Sequence, residues 1–474
     1  MAPFEPTSVP PGFDSSVLGE APQASDAVSK DWHQTVDQIA QASAKLLAEA
    51  PLGLACPITE FGRDVACTQS YLTEQALRYL RGRANPNDVD RLLQLATAVQ
   101  GRSGGAAALK VAVRAMALSP KFIYLTEGLD RSLPATTPAR MSVEELASFL
   151  AFRIGRRPPS TLLLQVLAQA PALDNAQLSA IIEQEFTPAE RAQSTTDFLA
   201  AWLNVAALSG SVSKDLSIHP QFTSEFLLQL QRETYDTLHA QFVAPGNGDL
   251  KQLLTENVES TLLDDKRNPL VQTYKRPGVL ALPGFIASIS SPQHTGLPKR
   301  GKFLVNAFFC DGAQPPPAGI KKPDFPPGLS ERQQFEMIEQ LPGCGPCHTR
   351  INPLAYPFER YDEVGNPRAA DAAMNVIDTS GAHALTSGGP RDFVYSDLQD
   401  LGVQMSGNSV VQTCLSIQAF EYTARRTAAS PYTVGRNDSC AVSSIKEAGA
   451  LSGFQLTGLL RDALIANALA PRAD

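Results

Sequence analysis

Between residues 31 and 242 apolar positions recur every three to four residues, in blocks separated by short polar or proline-containing breaks. That spacing places the apolar side chains on one face of a helix. It predicts helices over 31–50, 68–84, 85–101 and 106–125. The third opens on Asn85-Pro86 and ends at Gly101, a start and a stop signal. The fourth is broken near Ser119-Pro120, where proline removes a backbone donor. After a linker, DRSLPATTPARM, Ser142 and Glu145 form a capping box ahead of ELASFLAF. Further helices are predicted over 159–169, 174–186, 187–205 and 220–242, with Thr187-Pro188 as cap and first helical residue. Strand-like alternation is scarce from 30 to 265.

From about residue 274 glycine and proline punctuate the chain. QPPPAGIKKPDFPPG (314–328) reads as an extended connector, ERQQFEMIEQ (331–340) as a short helix, and NVIDTSGAHALTSGGPRDFVYSDL (375–398) as a loop or hairpin. Two helices close the chain, around 406–426 and 452–469. The expected fold is mainly α. Its expected organisation is an N-terminal helical domain with a Pro-rich lead (1–130), a middle helical domain (140–265) and a helical C-terminal region with long Pro/Gly-rich loops (266–474).

Composition narrows the class. With 43% hydrophobic and 19% charged residues in 474, the chain can bury a large core, and its length suits about three units. The net charge of -8 leaves no basic footprint for nucleic acid. No apolar run reaches the ~18 residues of a membrane span. The first 26 residues have neither a basic n-region nor an apolar h-region. The sequence is therefore read as the mature form of a periplasmic or secreted protein, with a cytoplasmic protein as the competing explanation.

The seven cysteines favour export. Cys56 and Cys67 are close enough to close a small loop, and Cys414 and Cys440 flank a turn-rich stretch, so both pairs are expected disulfides, with buried free thiols as the alternative. Cys310, Cys344 and Cys347 remain, an odd number.

Cys344-Gly345-Pro346-Cys347-His348 is C-x-x-C-H, the attachment pattern of c-type haem. Two thiols on one tight turn reach the two vinyl groups on one edge of the porphyrin, and the following histidine supplies an iron ligand. Three other readings stay open. C-G-P-C is a thioredoxin-like form, although no βαβ pattern adjoins it. Cys310, Cys344, Cys347 and His348 are a possible zinc set. Cys310 is a possible disulfide partner of Cys344 or Cys347. Pro353-Leu354 after the histidine favours haem, since in cytochromes the backbone near such a proline accepts the second imidazole N–H.

The segment CGPCHTRINPLAYPFERYDEVGNPR resembles a family of multidomain, cytochrome-c-like exported proteins of planctomycetes and myxobacteria, built of consecutive domains of unknown function. Their pattern is roughly C-x-x-C-H-x-x-I-D-P-L-G-F-x-x-E-x-F-D-x-x-G-x-x-R. It is matched at Cys344, Cys347, His348, Ile351, Pro353, Leu354, Glu359, Asp362, Gly365 and Arg368, and departed from at Asn352, Ala355, Tyr356 and Tyr361. RPGVL (276–280), Lys299-Arg300-Gly301 and Phe309-Cys310 also fit, as do stretches of the two upstream domains and the C-terminal one. The resemblance implies a cytochrome-c-like C-terminal region and supports haem c with its iron as cofactor. It implies no reaction.

Further candidates follow from haem chemistry. The sixth iron ligand is sought among Met405, His294, Met374 and His383, with an open site as the alternative. Arg276, Arg300 and Arg350 are candidate partners for the propionates. No nucleophile elbow, P-loop or dinucleotide fingerprint occurs. The expected function is redox work at one covalent haem, either electron transfer to an unidentified partner protein or peroxidase- or oxygenase-type oxidation of an unidentified small molecule or polymer. The alternative is a haem-free, disulfide-stabilised binding or assembly protein.

Overall fold

The computed structural model describes residues 30–49, 53–123, 141–170, 173–244, 248–259, 275–312, 323–371, 373–384, 392–424 and 436–469. The Pro-rich lead, the linker before residue 141, most of the proline-rich connector and the loop after residue 424 lie outside them. Among the described residues the protein is mainly helical, with two small two-stranded antiparallel sheets, Asn257–Glu259 with Lys275–Pro277 and Gly381–His383 with Phe393–Tyr395. The second falls in the stretch 375–398, expected to be a loop or hairpin. No helix among these residues is long and apolar enough to cross a membrane.

The described residues divide into two compact units, one of 30–187 with 468–469 and one of 188–467. In the first, the helices Val65–Tyr79, Pro86–Ser103 and Gly105–Ala117 enclose Phe61, Tyr71, Leu72, Ala76, Leu109, Val113 and Met116. Asn85 with Asp88 and Ser142 with Glu145 are both capping boxes. Cys56 and Cys67 are disulfide-bonded, as expected.

The second unit carries the C-x-x-C-H sequence. Trp202, on the helix Pro188–Trp202, packs against Phe308 with ring centroids 4.6 Å apart and donates its indole N–H to the Ala307 carbonyl at 2.8 Å. Ala307 and Phe308 belong to the helix Leu297–Phe309, here called the arginine helix because Arg300 lies on it. That helix packs against the motif helix, Gly345–Ala355. The approach is close enough that a Cβ at Gly301 would lie 1.8 Å from the Ile351 carbonyl oxygen.

The arginine helix ends at Cys310, which is disulfide-bonded to Cys414. This corrects the expected Cys414–Cys440 pair. It also removes Cys310 from the zinc set and from a bridge to Cys344 or Cys347. Sequence distance misled because Cys440 is not in a loop. It lies on a further helix, Arg436–Leu451, that the hydrophobic pattern did not predict, and is exposed there as a free thiol. Cys414 sits on the buried face of the helix Ser409–Ala424, so its partner must also be buried, and Cys310 is.

Arg276 and Arg300 are both fully buried. Arg276 donates to the carbonyls of Ala281 (2.9 Å) and Gly365 (2.7 Å) and lies over the Tyr361 ring. Arg300 donates to the carbonyls of Phe358, Tyr361 (2.8 Å) and Asp362 (2.6 Å) and to the Ser290 hydroxyl (2.8 Å). Burial, with Arg368 nearby, lowers its pKa to about 10, so it stays charged at neutral pH. Together they fasten the segment that follows the motif helix. Gly365, at φ +92°, completes it; a Cβ there would lie 2.7 Å from Pro283 Cα.

Two outcomes are expected. Cys310→Ser with Cys414→Ser opens a loop of 104 residues and should cost about 2–5 kcal/mol in denaturant unfolding, whereas Cys440→Ser should leave the midpoint unchanged. Gly301→Ala should destabilise by about 1–3 kcal/mol or more, since backbone rather than a movable side chain opposes the new methyl; an unchanged melting curve would contradict that packing.

Candidate haem-attachment site

The site is built on the motif helix and on the short helix before it, Glu331–Glu339, which Ser330 and Gln333 start with a capping box. A tight turn joins them: the N–H groups of Cys344 and Gly345 donate to the Leu341 carbonyl at 3.0 and 2.8 Å. Cys344 is the N-terminal cap of the motif helix and Pro346 lies in its first turn, where a missing N–H costs nothing. Cys344 is half-buried and Cys347 exposed, both as free thiols. In the segment that precedes them Met337 and Leu341 are left exposed.

His348 is half-buried, and the Phe335 ring stacks on its imidazole with centroids 5.9 Å apart and planes within 14°. His348 Nδ1 lies 3.0 Å from Asn352 Oδ1, one helical turn on. Asn352 is fully buried; its Nδ2 donates to Glu339 Oε1 at 2.9 Å and, at 3.4 Å, to the Phe335 carbonyl. The Tyr356 hydroxyl donates to the same Glu339 oxygen at 3.0 Å. Burial, reinforced by the Glu339 charge, raises the Tyr356 pKa well above that of an ordinary phenol, so it is a neutral donor. Arg332 lies over the Tyr356 ring, 4.3 Å from its centroid, and pairs with Glu336.

Pro353 does not stop the helix, which runs on to Ala355. The expected acceptor for the imidazole, backbone near the proline, is also replaced. The Pro353 carbonyl accepts from the Tyr395 hydroxyl, and the Asn352 side chain takes Nδ1.

The other sequence candidates are dispersed. Arg276 and Arg300 are turned to backbone carbonyls as described. Arg350 is partly exposed and ion-paired with Asp311. Met405 is fully buried on the helix Leu398–Gly407, and His294 is exposed in its loop, its carbonyl accepting from Ser291 N–H at 3.1 Å. Met374 is 81% exposed at φ +64°. His383 is buried against Phe309 and Phe393, and burial lowers its pKa to about 4, so it is neutral near pH 7. None of these four is bonded to or stacked on His348 in the contacts above. Glu359 is buried, and its pKa is pushed up to about 7 by burial and by Glu331.

Sequence reasoning missed Phe335 and Glu339, and treated Asn352 and Tyr356 only as departures from a pattern. A partial signal was present: His348, Asn352 and Tyr356 follow one another at i, i+4.

Two consecutive family models match the chain. One, PSD4, a protein of unknown function (DUF1592), covers residues 141–265; the other, PSCyt3, a protein of unknown function (DUF1588), covers residues 276–371. The second includes Arg276, Arg300 and the whole C-x-x-C-H turn. No curated protein and no solved structure matches. The resemblance read from the motif thus holds at the level of these two successive domains, to which this chain is similar.

Proposed function

We propose that the protein is an exported c-type haem protein that does one-electron redox work. The observation that carries the reading is the state of the C-x-x-C-H turn. Its two thiols are free while Cys56, Cys67, Cys310 and Cys414 are paired, and the following imidazole has one nitrogen engaged and the other available. Cys344 and Cys347 would each add S–H across a haem vinyl group, sulfur to one carbon and hydrogen to the other, with no net change of oxidation state. His348 would ligate iron through Nε2. The bound haem supplies reversible one-electron chemistry.

The residues present fit that group. The exposed apolar side chains Leu341 and Met337, which precede the turn in the chain, offer contact for a porphyrin, and Nδ1 is held as iron-ligating histidines usually hold it, on an acceptor. Arg350, two residues beyond His348 and partly exposed, remains the arginine best placed to meet a propionate. Among the described residues no three His, Cys, Asp or Glu side chains gather as a cage for a bare metal ion; a haem needs only the axial positions from protein. A scaffold of this size exceeds what an electron carrier requires, which favours a redox enzyme or a subunit docked to a redox partner.

Expression of the full chain with haem-maturation machinery should give a red protein with sharp α and Soret bands in the reduced-minus-oxidised spectrum and a mass gain of one haem. His348→Ala should abolish or strongly shift those bands. Colourless protein of unchanged mass from that host would overturn the reading. Rapid binding of carbon monoxide by the reduced form would assign an open sixth position and catalysis; no binding would assign a sixth protein ligand and electron transfer.

A further inference from the structure

The polar groups behind His348 form a chain in which each proton has one possible place. Asn352 Nδ2 faces two atoms that have no proton to give, Glu339 Oε1 at 2.9 Å and the Phe335 carbonyl at 3.4 Å. Turning the amide over would set oxygen against oxygen in a fully buried position. The amide is therefore locked with Oδ1 toward His348 Nδ1, 3.0 Å away. An amide oxygen only accepts. Nδ1 must carry the proton, and Nε2 is left with its lone pair. Glu339 anchors the chain from its far end: the Tyr356 hydroxyl donates to the same Oε1 at 3.0 Å, and Arg332 over the Tyr356 ring holds that phenol in place. Phe335 fixes the plane of the imidazole.

We propose that Glu339 and Asn352 are positioning residues that set the tautomer and orientation of His348 before any iron arrives, and that Asn352 tunes its basicity afterwards. The inference rests on the haem reading for its consequence but not for its geometry, which belongs to the apoprotein. Imidazole in water prefers the proton on Nε2, the nitrogen a metal needs bare. A buried acceptor that holds the proton on Nδ1 removes that competition. Because the acceptor is a neutral amide, it polarises the N–H less than a carboxylate would. The carboxylate stands one residue further back, at Glu339, and acts through the amide.

The test has two readouts. In full-length apoprotein labelled with 15N-histidine, the His348 signals should report the Nδ1–H tautomer. Asn352→Leu and Glu339→Ala should each shift the Nδ1–H to Nε2–H ratio at least tenfold towards Nε2–H, while the signals of the other histidines stay in place and certify the fold. In the haem-loaded protein, Asn352→Leu should raise the reduction potential, because a less basic ligand stabilises ferric iron less. The expected size is about a tenfold change in the oxidised-to-reduced ratio at fixed applied potential, ~59 mV for one electron. Nε2–H in the wild-type apoprotein would overturn the proposal, and so would Nδ1–H persisting in both variants. If Asn352→Leu does not fold, Glu339→Ala, at a half-buried position, still decides. A colourless holo preparation would sink the haem reading alone, since the tautomer is read without haem.

Discussion

The C-terminal unit depends on what two adjacent residues of one helix do to a neighbouring helix. Gly301 has no side chain, so the motif helix can bring its Ile351 carbonyl into the place where a Cβ would be. Arg300, the residue before, is fully buried and binds the carbonyls of Phe358, Tyr361 and Asp362, beyond the end of the motif helix. Close approach holds the motif helix, and carbonyl capture holds the segment that follows it. A buried guanidinium is costly unless its donors are met. Here each carbonyl it meets is also a backbone group that would otherwise need a partner. Desolvation and satisfaction are one arrangement, and the turn beyond the motif helix has little freedom left.

That rigidity matters because the C-x-x-C-H turn itself is exposed. Two thiols and an imidazole on a short helix need a fixed base, and the base comes from below: the arginine helix through Gly301 and Arg300, and the flanking helix through Phe335 and Glu339. The same arginines were candidates for holding propionates. Their burial gives them backbone partners, which leaves Arg350 nearer the surface. The disulfide between Cys310 and Cys414 serves the same framework, joining the end of the arginine helix to the buried face of Ser409–Ala424 and leaving the motif thiols free of competition from Cys310.

Much of this was legible one residue at a time. Amphipathic spacing located most helices, the helix start at Asn85-Pro86 and the capping box at Ser142 were readable from residue types, and the C-x-x-C-H motif marked the candidate site. Apart from unpredicted helices such as Leu297–Phe309 and Arg436–Leu451, the failures were failures of partnership. Cys414 was matched to Cys440 because both flank a turn-rich stretch, yet the residues just before Cys440 are helical. His348 was given a backbone acceptor by analogy with cytochromes, while a side chain one turn along was in reach. Glu339 had no feature in the sequence that set it apart from any other helical glutamate.

The sequence by itself determined the helical class and the C-x-x-C-H motif with its candidate ligands, because these follow from periodicity and from residue types at short fixed spacings. Tertiary structure alone decided which sulfur meets Cys414, which atoms the buried arginines satisfy and which side chain meets Nδ1 of His348. Each of those depends on groups distant in the chain or on separate helices, brought within about 3 Å by packing, and local sequence carries no record of a distance between elements.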